Sequence, residues 1–305
     1  MSRMRKVLTG AVESTSTALL TLCELGSPPE AVITLPMSMS SRHSDFVDLR
    51  PLARDAGIPV YEIENSNSQE GLALLRDLNP DMHLVLGWSQ ICGPELLAIP
   101  EVGSVGFHPS ALPENRGRAV IPWTILQGAR TTGSTLFWLS EGVDEGAIFA
   151  QEVFDVGNQE TARSLMDKHL VALRNLLAEL VDHELQGHFP RVPQDPALAT
   201  TCLQRTPEDG CIDWSRPARE VWTLIRATGA PYPGAFTYSR DGVMRVWGAQ
   251  LDEASGYWAL PGQIVAVEDD GIVVQCGDRQ HVKITEYSKD GHPGLPRLRV
   301  GERLR

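Results

Sequence analysis

Residues 6–35, KVLTGAVESTSTALLTLCELGSPPEAVITL, decide the class of fold. Lys6–Thr9 is a short apolar run, Gly10 breaks it, a helical pattern fills 14–25, and a β-branched run follows at 31–35. A brief apolar run bounded by turn formers reads as a buried strand, whereas apolar residues three and four apart read as a helix. The same order then repeats, with helical patterns at 47–56 and 69–77 and extended runs at 58–61 and 82–86. Strands alternating with helices at this spacing predict an α/β domain whose mostly parallel sheet is covered on both faces.

Working outward, 103–107, 133–139 and 147–153 read as further strands. A long helix then starts at a Thr161 cap, carries Leu165, Met166, His169, Leu170, Leu173, Leu176, Leu177, Leu180 and Val181 on one stripe, and stops at Gly187 and Pro190. Residues 191–203 are rich in Pro, Gln and Asp and are expected to be a linker. Beyond them one helix, 215–228, precedes short β runs at 234–238, 243–247, 262–267, 271–276 and 281–287. Turn signals at Asp270-Gly271 and Gly277-Asp278 suggest hairpins, and closely spaced strands of this kind suggest a small barrel. The expected division is therefore a catalytic domain over 1–190, a linker over 191–203 and a barrel-like domain over 204–305.

With 42% hydrophobic and 22% charged residues among 305, the chain has an ordinary globular composition, and disorder is not implied. Apolar runs such as Met82–Leu86 are far shorter than the roughly 20 residues of a membrane span. The basic start, Met-Ser-Arg-Met-Arg-Lys, is followed by no leader-like apolar core, so a cytoplasmic location without membrane contact is expected. Five cysteines without a Cys-x-x-Cys pair suggest neither a disulfide framework nor a structural zinc site, and no metal is expected. A formal charge of −12 repels polyanions, so neither tRNA nor DNA is the expected partner. Small anions can still bind a local basic pocket within a Debye length.

Gly10 after the first strand invites a nucleotide reading, but the segment lacks G-x-G-x-x-G spacing; a turn glycine accounts for it. More informative is 103–151. His108 follows an apolar strand, where open α/β sheets place their ligands. Asp144 lies in a glycine-rich turn after another strand, between Gly142 and Gly146. A carboxylate beside an imidazole fixes its tautomer and favours its charged form, as general acid–base chemistry needs. By position alone, both residues also read as a solvated histidine and a turn aspartate.

The run His108-Pro-Ser-Ala-Leu-Pro113 with Arg116-Gly-Arg118-Ala119, Pro122-Trp123, Thr132-Gly133 and Asp144-x-Gly146 resembles the folate-dependent formyltransferases. That family includes methionyl-tRNA formyltransferases and sugar-amine N-formyltransferases. A second block, Arg205-x-Pro-Glu-Asp-Gly210, Ile212-Asp-Trp214, Ile225-Arg-Ala227 and Pro231-Tyr-Pro-Gly-Ala-Phe236, resembles the start of the C-terminal domain in the same enzymes. The resemblance implies a Rossmann-like domain that takes 10-formyltetrahydrofolate, followed by a small open-barrel, OB-like domain. It implies that His108 and Asp144 are catalytic, with the imidazole donating to the developing oxyanion and shuttling the amine proton.

One position departs. The family pattern reads Asn-x-His, and the asparagine amide helps hold the oxyanion; here that position is Gly106. Losing one such donor costs roughly 10²–10³ in rate in comparable acyl transfers. The resemblance further implies that the donor lies against Leu86, Gly87, Trp88, Ile91, Gly142, Val143 and Glu145, and that Ser110, Arg116 and Arg118 bind substrate. The expectation is transfer of a formyl group to a small-molecule amine: an aminosugar nucleotide, an amino acid derivative or a specialised metabolite. Gly106 keeps alternatives open: another oxidation level drawn from 5,10-methylenetetrahydrofolate, a formimidoyl transfer, a formyl-folate hydrolase, or a non-catalytic folate-binding protein. The oligomeric state stays open, a homodimer included.

Overall fold

A computed structural model describes residues 4–253, 256–289 and 298–305. The chain divides into two compact units, Met1–Val120 with Thr131–Asp155 and Asp167–Leu203, and Ile121–Arg130 with Val156–Met166 and Gln204–Arg305.

In the first unit, β1 (Lys6–Thr9), β2 (Ala31–Thr34), β3 (Val60–Glu62), β4 (Met82–Val85) and β5 (Gly103–His108) run parallel in the order β3-β2-β1-β4-β5. The connections carry α1 (Glu13–Glu24), α2 (Arg50–Asp55), α3 (Gln69–Leu78) and α4 (Pro94–Leu97). A two-residue strand, β6 (Arg116–Gly117), follows β5, and then β7 (Thr131–Trp138) and β8 (Ile148–Asp155) extend the sheet antiparallel beyond β5. The mostly parallel sheet of the sequence reading is present. The direction of its last two strands is not encoded in their apolar pattern, which is the same either way.

Alternation along β1 assigns the two faces. Leu8 packs with Leu84, Val105, Leu136 and the α1 residues Leu19 and Leu22. Val7 packs on the other side with Ile33, Val85, Leu72, Leu75 and Leu96. The long helix is α6 (Ala162–Gln186), and Leu173, Leu176, Leu177 and Leu180 of its predicted stripe lie in the first of these cores. Each such side chain contributes roughly 1.5–3 kcal/mol through burial. The fully buried Lys6 reaches Glu184 of α6 at 2.5 Å and the Ser27 hydroxyl at 2.7 Å. This ion pair in the interior ties β1 to the helix.

Two boundaries differ from expectation. The helix read over 47–56 forms only at Arg50–Asp55, because Pro51 has no N–H and is tolerated in the first turn alone. Residues 191–203 belong to the first unit. Val192 exchanges backbone hydrogen bonds with Ile148 (2.8 and 2.9 Å), and β9 (Thr201–Cys202) pairs in parallel with β6.

The second unit contains α5 (Val120–Leu126) apart from its first residue, α7 (Ala218–Thr228) and an antiparallel sheet. Its strands are β10 (Ala235–Ser239), β11 (Gly242–Asp252), β12 (Ile264–Glu268), β13 (Gly271–Gln275) and β14 (His281–Lys289), ordered β10-β11-β14-β13-β12. The last residues of the chain bond to both edges. Ile264 N–H donates to the Glu302 carbonyl (2.9 Å) beside β12, and Tyr238 and Arg305 exchange bonds of 2.8 and 3.0 Å beside β10. The sheet therefore closes into a small barrel around Trp214, Val221, Ile225, Val246, Ile272, Ile284 and Leu304. Among the described residues, no helix is long and apolar enough to cross a membrane.

Candidate active site

His108 is the last residue of β5 and is paired with Thr135 of β7, so its backbone is fixed by the sheet. Its ring is buried. Nε2 lies 2.7 Å from the carbonyl oxygen of Asn115. A carbonyl only accepts, so Nε2 carries the hydrogen and donates. On the other side Nδ1 is 3.4 Å from Asp144 Oδ2, a contact that becomes attractive when Nδ1 also takes a proton. Phe137 meets the ring edge-on, with centroids 6.5 Å apart and planes at 85°.

Asp144 lies between β7 and β8 with φ of +53°, the left-handed region, and its Oδ2 accepts from the Gly117 N–H at 2.8 Å. At Gly146 a Cβ would overlap the carbonyl oxygen of Trp138, so only glycine lets the chain pass back toward β8. The loop after His108 is braced from below. Thr135 donates to the Ser110 carbonyl (2.7 Å) and accepts from Leu112 N–H (3.2 Å), while Gln151 Nε2 donates to the Leu112 carbonyl (2.9 Å) and to Thr135 Oγ1 (2.8 Å). This network holds the start of the loop, and farther along it the Asn115 N–H donates to Thr200 Oγ1 at 2.8 Å, beside the carbonyl that meets Nε2 of His108.

At Gly106 the space beside the backbone is filled. A Cβ there would stand 2.7 Å from Leu139 Cδ2 and 3.0 Å from the Phe137 ring. The side-chain amide that the family pattern places at this position can enter only if the Leu139 methyl and the Phe137 ring give way.

The other expected site residues divide. β4 and β5 are adjacent and parallel, with Val85 paired to Gly106, so the segment 86–91 leaves the sheet beside the strand that carries His108. Leu86 itself points into the core, and Gly87, with φ of +75°, has no room for a Cβ against Val12. Trp88 is half-buried and donates from Nε1 to Ser66 Oγ at 3.2 Å. Ile91 and Val143 are large apolar side chains left 62% and 52% exposed. Glu145, beside Gly142 in the Asp144 loop, is exposed and 3.9 Å from Arg116. Ser110 is buried, its hydroxyl donating to the Glu114 carbonyl at 2.6 Å, which makes it part of the loop framework. Arg116 donates to Gln194 Oε1 from Nε (3.1 Å) and Nη2 (2.7 Å), and Arg118 donates to the Ser89 carbonyl at 3.1 Å. Asn115, Gly117, Thr135, Gln151 and Gln194 complete the site and were not anticipated. The only signal for Asn115 and Gly117 was adjacency to the Arg116-Gly-Arg118 motif.

His169 of α6 also belongs to this neighbourhood. Burial pushes it down to about 3, with the charge of His108 acting the same way, and its Nδ1 is 2.9 Å from Ser134 Oγ. It stays neutral behind the site. Among the described residues, no group of three or more His, Cys, Asp or Glu is arranged to hold a metal ion.

Comparison with known proteins matches residues 28–181 to the family described as Formyl transferase and residues 205–296 to the Formyl transferase, C-terminal domain. The chain belongs to the formyltransferase family. It is similar to methionyl-tRNA formyltransferase of Citrifermentans bemidjiense, with 34% identity over 97% of this chain and 92% of that one. The corresponding protein of Acidithiobacillus ferrooxidans is 37% identical over 86% and 84%. Among solved structures, the fold resembles the sugar 3N-formyl transferase WlaRD, crystallised with dTDP and 5-N-formyl-THF (TM-score 0.67, 16% identity, 93% of this chain and 98% of that chain). It also resembles HypX from Aquifex aeolicus in complex with tetrahydrofolic acid (TM-score 0.69, 19% identity, 95% of this chain), of whose length it spans 45%. At these identities the structural likeness concerns the fold.

The relatives overturn two expectations, the small-molecule amine acceptor and the exclusion of tRNA. Both leaned on a charge summed over the whole chain. Residues 204–305 carry 13 Lys and Arg against 14 Asp and Glu, so nearly all the acidic excess lies before residue 204. A net charge of −12 is therefore no description of any one face, and association is governed by local potential.

Proposed function

We propose that this formyltransferase moves the formyl group of 10-formyltetrahydrofolate onto the α-amine of methionyl-tRNA. The observation that carries the chemistry is the bracketed imidazole: His108 held between the Asn115 carbonyl at 2.7 Å and the Asp144 carboxylate at 3.4 Å. The acceptor rests on the near full-length likeness to proteins named methionyl-tRNA formyltransferase.

The site fits a flat, partly apolar donor. Two exposed apolar side chains, Ile91 and Val143, lie in the segments that the reading assigns to it, and backbone groups of 87–91 and 142–145 can meet its polar edge. The donor supplies the formyl carbon. In the free protein Nε2–H of His108 rests on the Asn115 carbonyl. During transfer the formyl oxygen, as it gains negative charge, shares that hydrogen with the Asn115 carbonyl, and a fixed donor in a buried site stabilises the charge strongly. The amine nitrogen bonds to the carbon, the bond from the carbon to the folate nitrogen breaks, and one proton passes from the amine to that nitrogen. Nδ1, which holds the free lone pair of the His108 ring, takes the amine proton and gives it up to the folate nitrogen, and Asp144, 3.4 Å from it, balances the ring while it carries two. With Gly106 in place of the amide, more of the oxygen stabilisation falls to His108.

The test is incubation with radiolabelled 10-formyltetrahydrofolate and methionyl-tRNA, with free methionine and uncharged tRNA as controls. Label in acid-precipitable methionyl-tRNA alone is expected. Formate released while every acceptor stays unlabelled would replace transfer by hydrolysis.

A further inference from the structure

The loop that carries Asp144 is gripped by one side chain from a segment remote in sequence. Gln194 Nε2 donates to the backbone carbonyls of Asp144 (2.8 Å) and Gly146 (2.7 Å). Its Oε1 accepts twice from Arg116, at 3.1 and 2.7 Å. A primary amide has two N–H donors and two lone pairs, and Gln194 uses all four. Arg116 precedes Gly117, whose N–H is the donor to Asp144 Oδ2 at 2.8 Å. The hydrogen bonds therefore close a ring. One end of the amide holds the backbone of Asp144, and the other holds the strand that offers Asp144 its backbone partner.

We infer that Gln194 is a positioning residue for formyl transfer, setting the Asp144 carboxylate against Nδ1 of His108. This rests on the reading of His108 and Asp144 as the catalytic pair. Asp144 has φ of +53°, in the left-handed region, which an aspartate adopts more readily than most residues because its short side chain can bond locally. That conformation does not by itself fix where the carboxylate stands. Gly146 lets the loop turn, but nothing in the loop's own sequence fixes where Asp144 stops; the two bonds from Gln194 do. The side-chain type is also dictated. A glutamate would keep an acceptor for Arg116 but would turn a carboxylate oxygen toward two carbonyl oxygens. A methionine would keep the length and lose every bond. The positions joined, 116, 144, 146 and 194, are parts of one unit.

The experiment uses Q194M and Q194E in the full chain, alone and in a D144N background, with kcat and KM for formyl transfer to methionyl-tRNA and amide hydrogen exchange at Gly117. Both single variants are expected to lower kcat by about 10–100-fold, the cost of misplacing a catalytic group by around an ångström. The Gly117 amide should exchange faster, and KM for the formyl donor, whose polar edge residues 142–145 are read to meet, should rise with the loop's displacement. In the D144N background the same substitutions should change kcat by less than about threefold, since residues acting through one another are not additive. Equal losses in both backgrounds, or unchanged protection at Gly117, would overturn the inference. If the wild-type protein forms no formylmethionyl-tRNA, the proposed function fails, and Gly117 exchange alone still decides whether Gln194 holds Asp144.

Discussion

Replacing Gly106 by asparagine restores the family pattern on paper, and the structure predicts that it fails in the protein. The new Cβ would stand 2.7 Å from Leu139 Cδ2 and 3.0–3.1 Å from two Phe137 ring atoms, where ordinary contact begins near 3.4 Å. Leu139 must therefore retreat by about 0.7 Å and Phe137 by about 0.4 Å before any amide atom is placed. Phe137 cannot yield freely, because its ring meets His108 edge-on and is buried in the sheet. Overpacking of this kind costs about 1–3 kcal/mol. For a protein of this size that lowers Tm by roughly 2–12 °C, taking about 2–4 °C per kcal/mol. G106N should also lower kcat rather than raise it, because the displaced Phe137 edge disturbs His108. Scanning calorimetry and formyl-transfer kinetics on G106N, F137A and G106N/F137A test this, and G106N should lower Tm less in the F137A background than in the wild type. A G106N protein that melts with the wild type and turns over faster would show that room for the amide exists and refute the reasoning.

Other expectations follow from the core. Removing the carboxylate of Glu184 by E184A leaves the Lys6 ammonium buried without its counter-ion and should cost about 3–5 kcal/mol in urea unfolding, whereas K6M/E184L should be nearly neutral. Burial holds both His83 and His169 down to about 3, so in the folded state they stay neutral while the unfolded chain protonates them near 6.5. The unfolded state then binds more protons, and stability should fall as pH drops from about 6.5 toward 3, by about 1.4 kcal/mol per pH unit for each histidine. Asp48 and Asp81, lowered by Arg50 and Arg5, contribute only below the ordinary aspartate range, so urea midpoints between pH 6 and 4.5 isolate the histidines. H169Q should flatten that slope by about one histidine's share, while His83 and His43, which burial also lowers, keep the rest; a slope unchanged in H169Q would contradict the assignment.

How much could be read beforehand depends on whether a feature is local. The βαβ order of 6–35 shows in the sequence because each element carries its own periodicity, and β1, α1 and β2 lie where the runs placed them. His108 and Asp144 were legible through motifs, and the sheet brings them within 3.4 Å. Strand direction was not legible, since β7 and β8 alternate identically whichever way they run. Gln194 was hidden for a different reason. It lies in a Pro- and Asp-rich stretch with no periodicity, and its four bonds connect positions 48 to 78 residues away. The tRNA question failed because net charge is an average, while binding depends on the charges at one face.

The central claim is that His108, steadied by Asp144, carries formyl transfer to methionyl-tRNA. The most direct measurement is single-turnover transfer of labelled formyl from 10-formyltetrahydrofolate to methionyl-tRNA by the wild type, H108A and D144N, with folding checked by circular dichroism. The wild type should form formylmethionyl-tRNA, and each variant should be slower by about 10²–10⁴ with its fold intact. Folded variants that transfer formyl at the wild-type rate would contradict the claim.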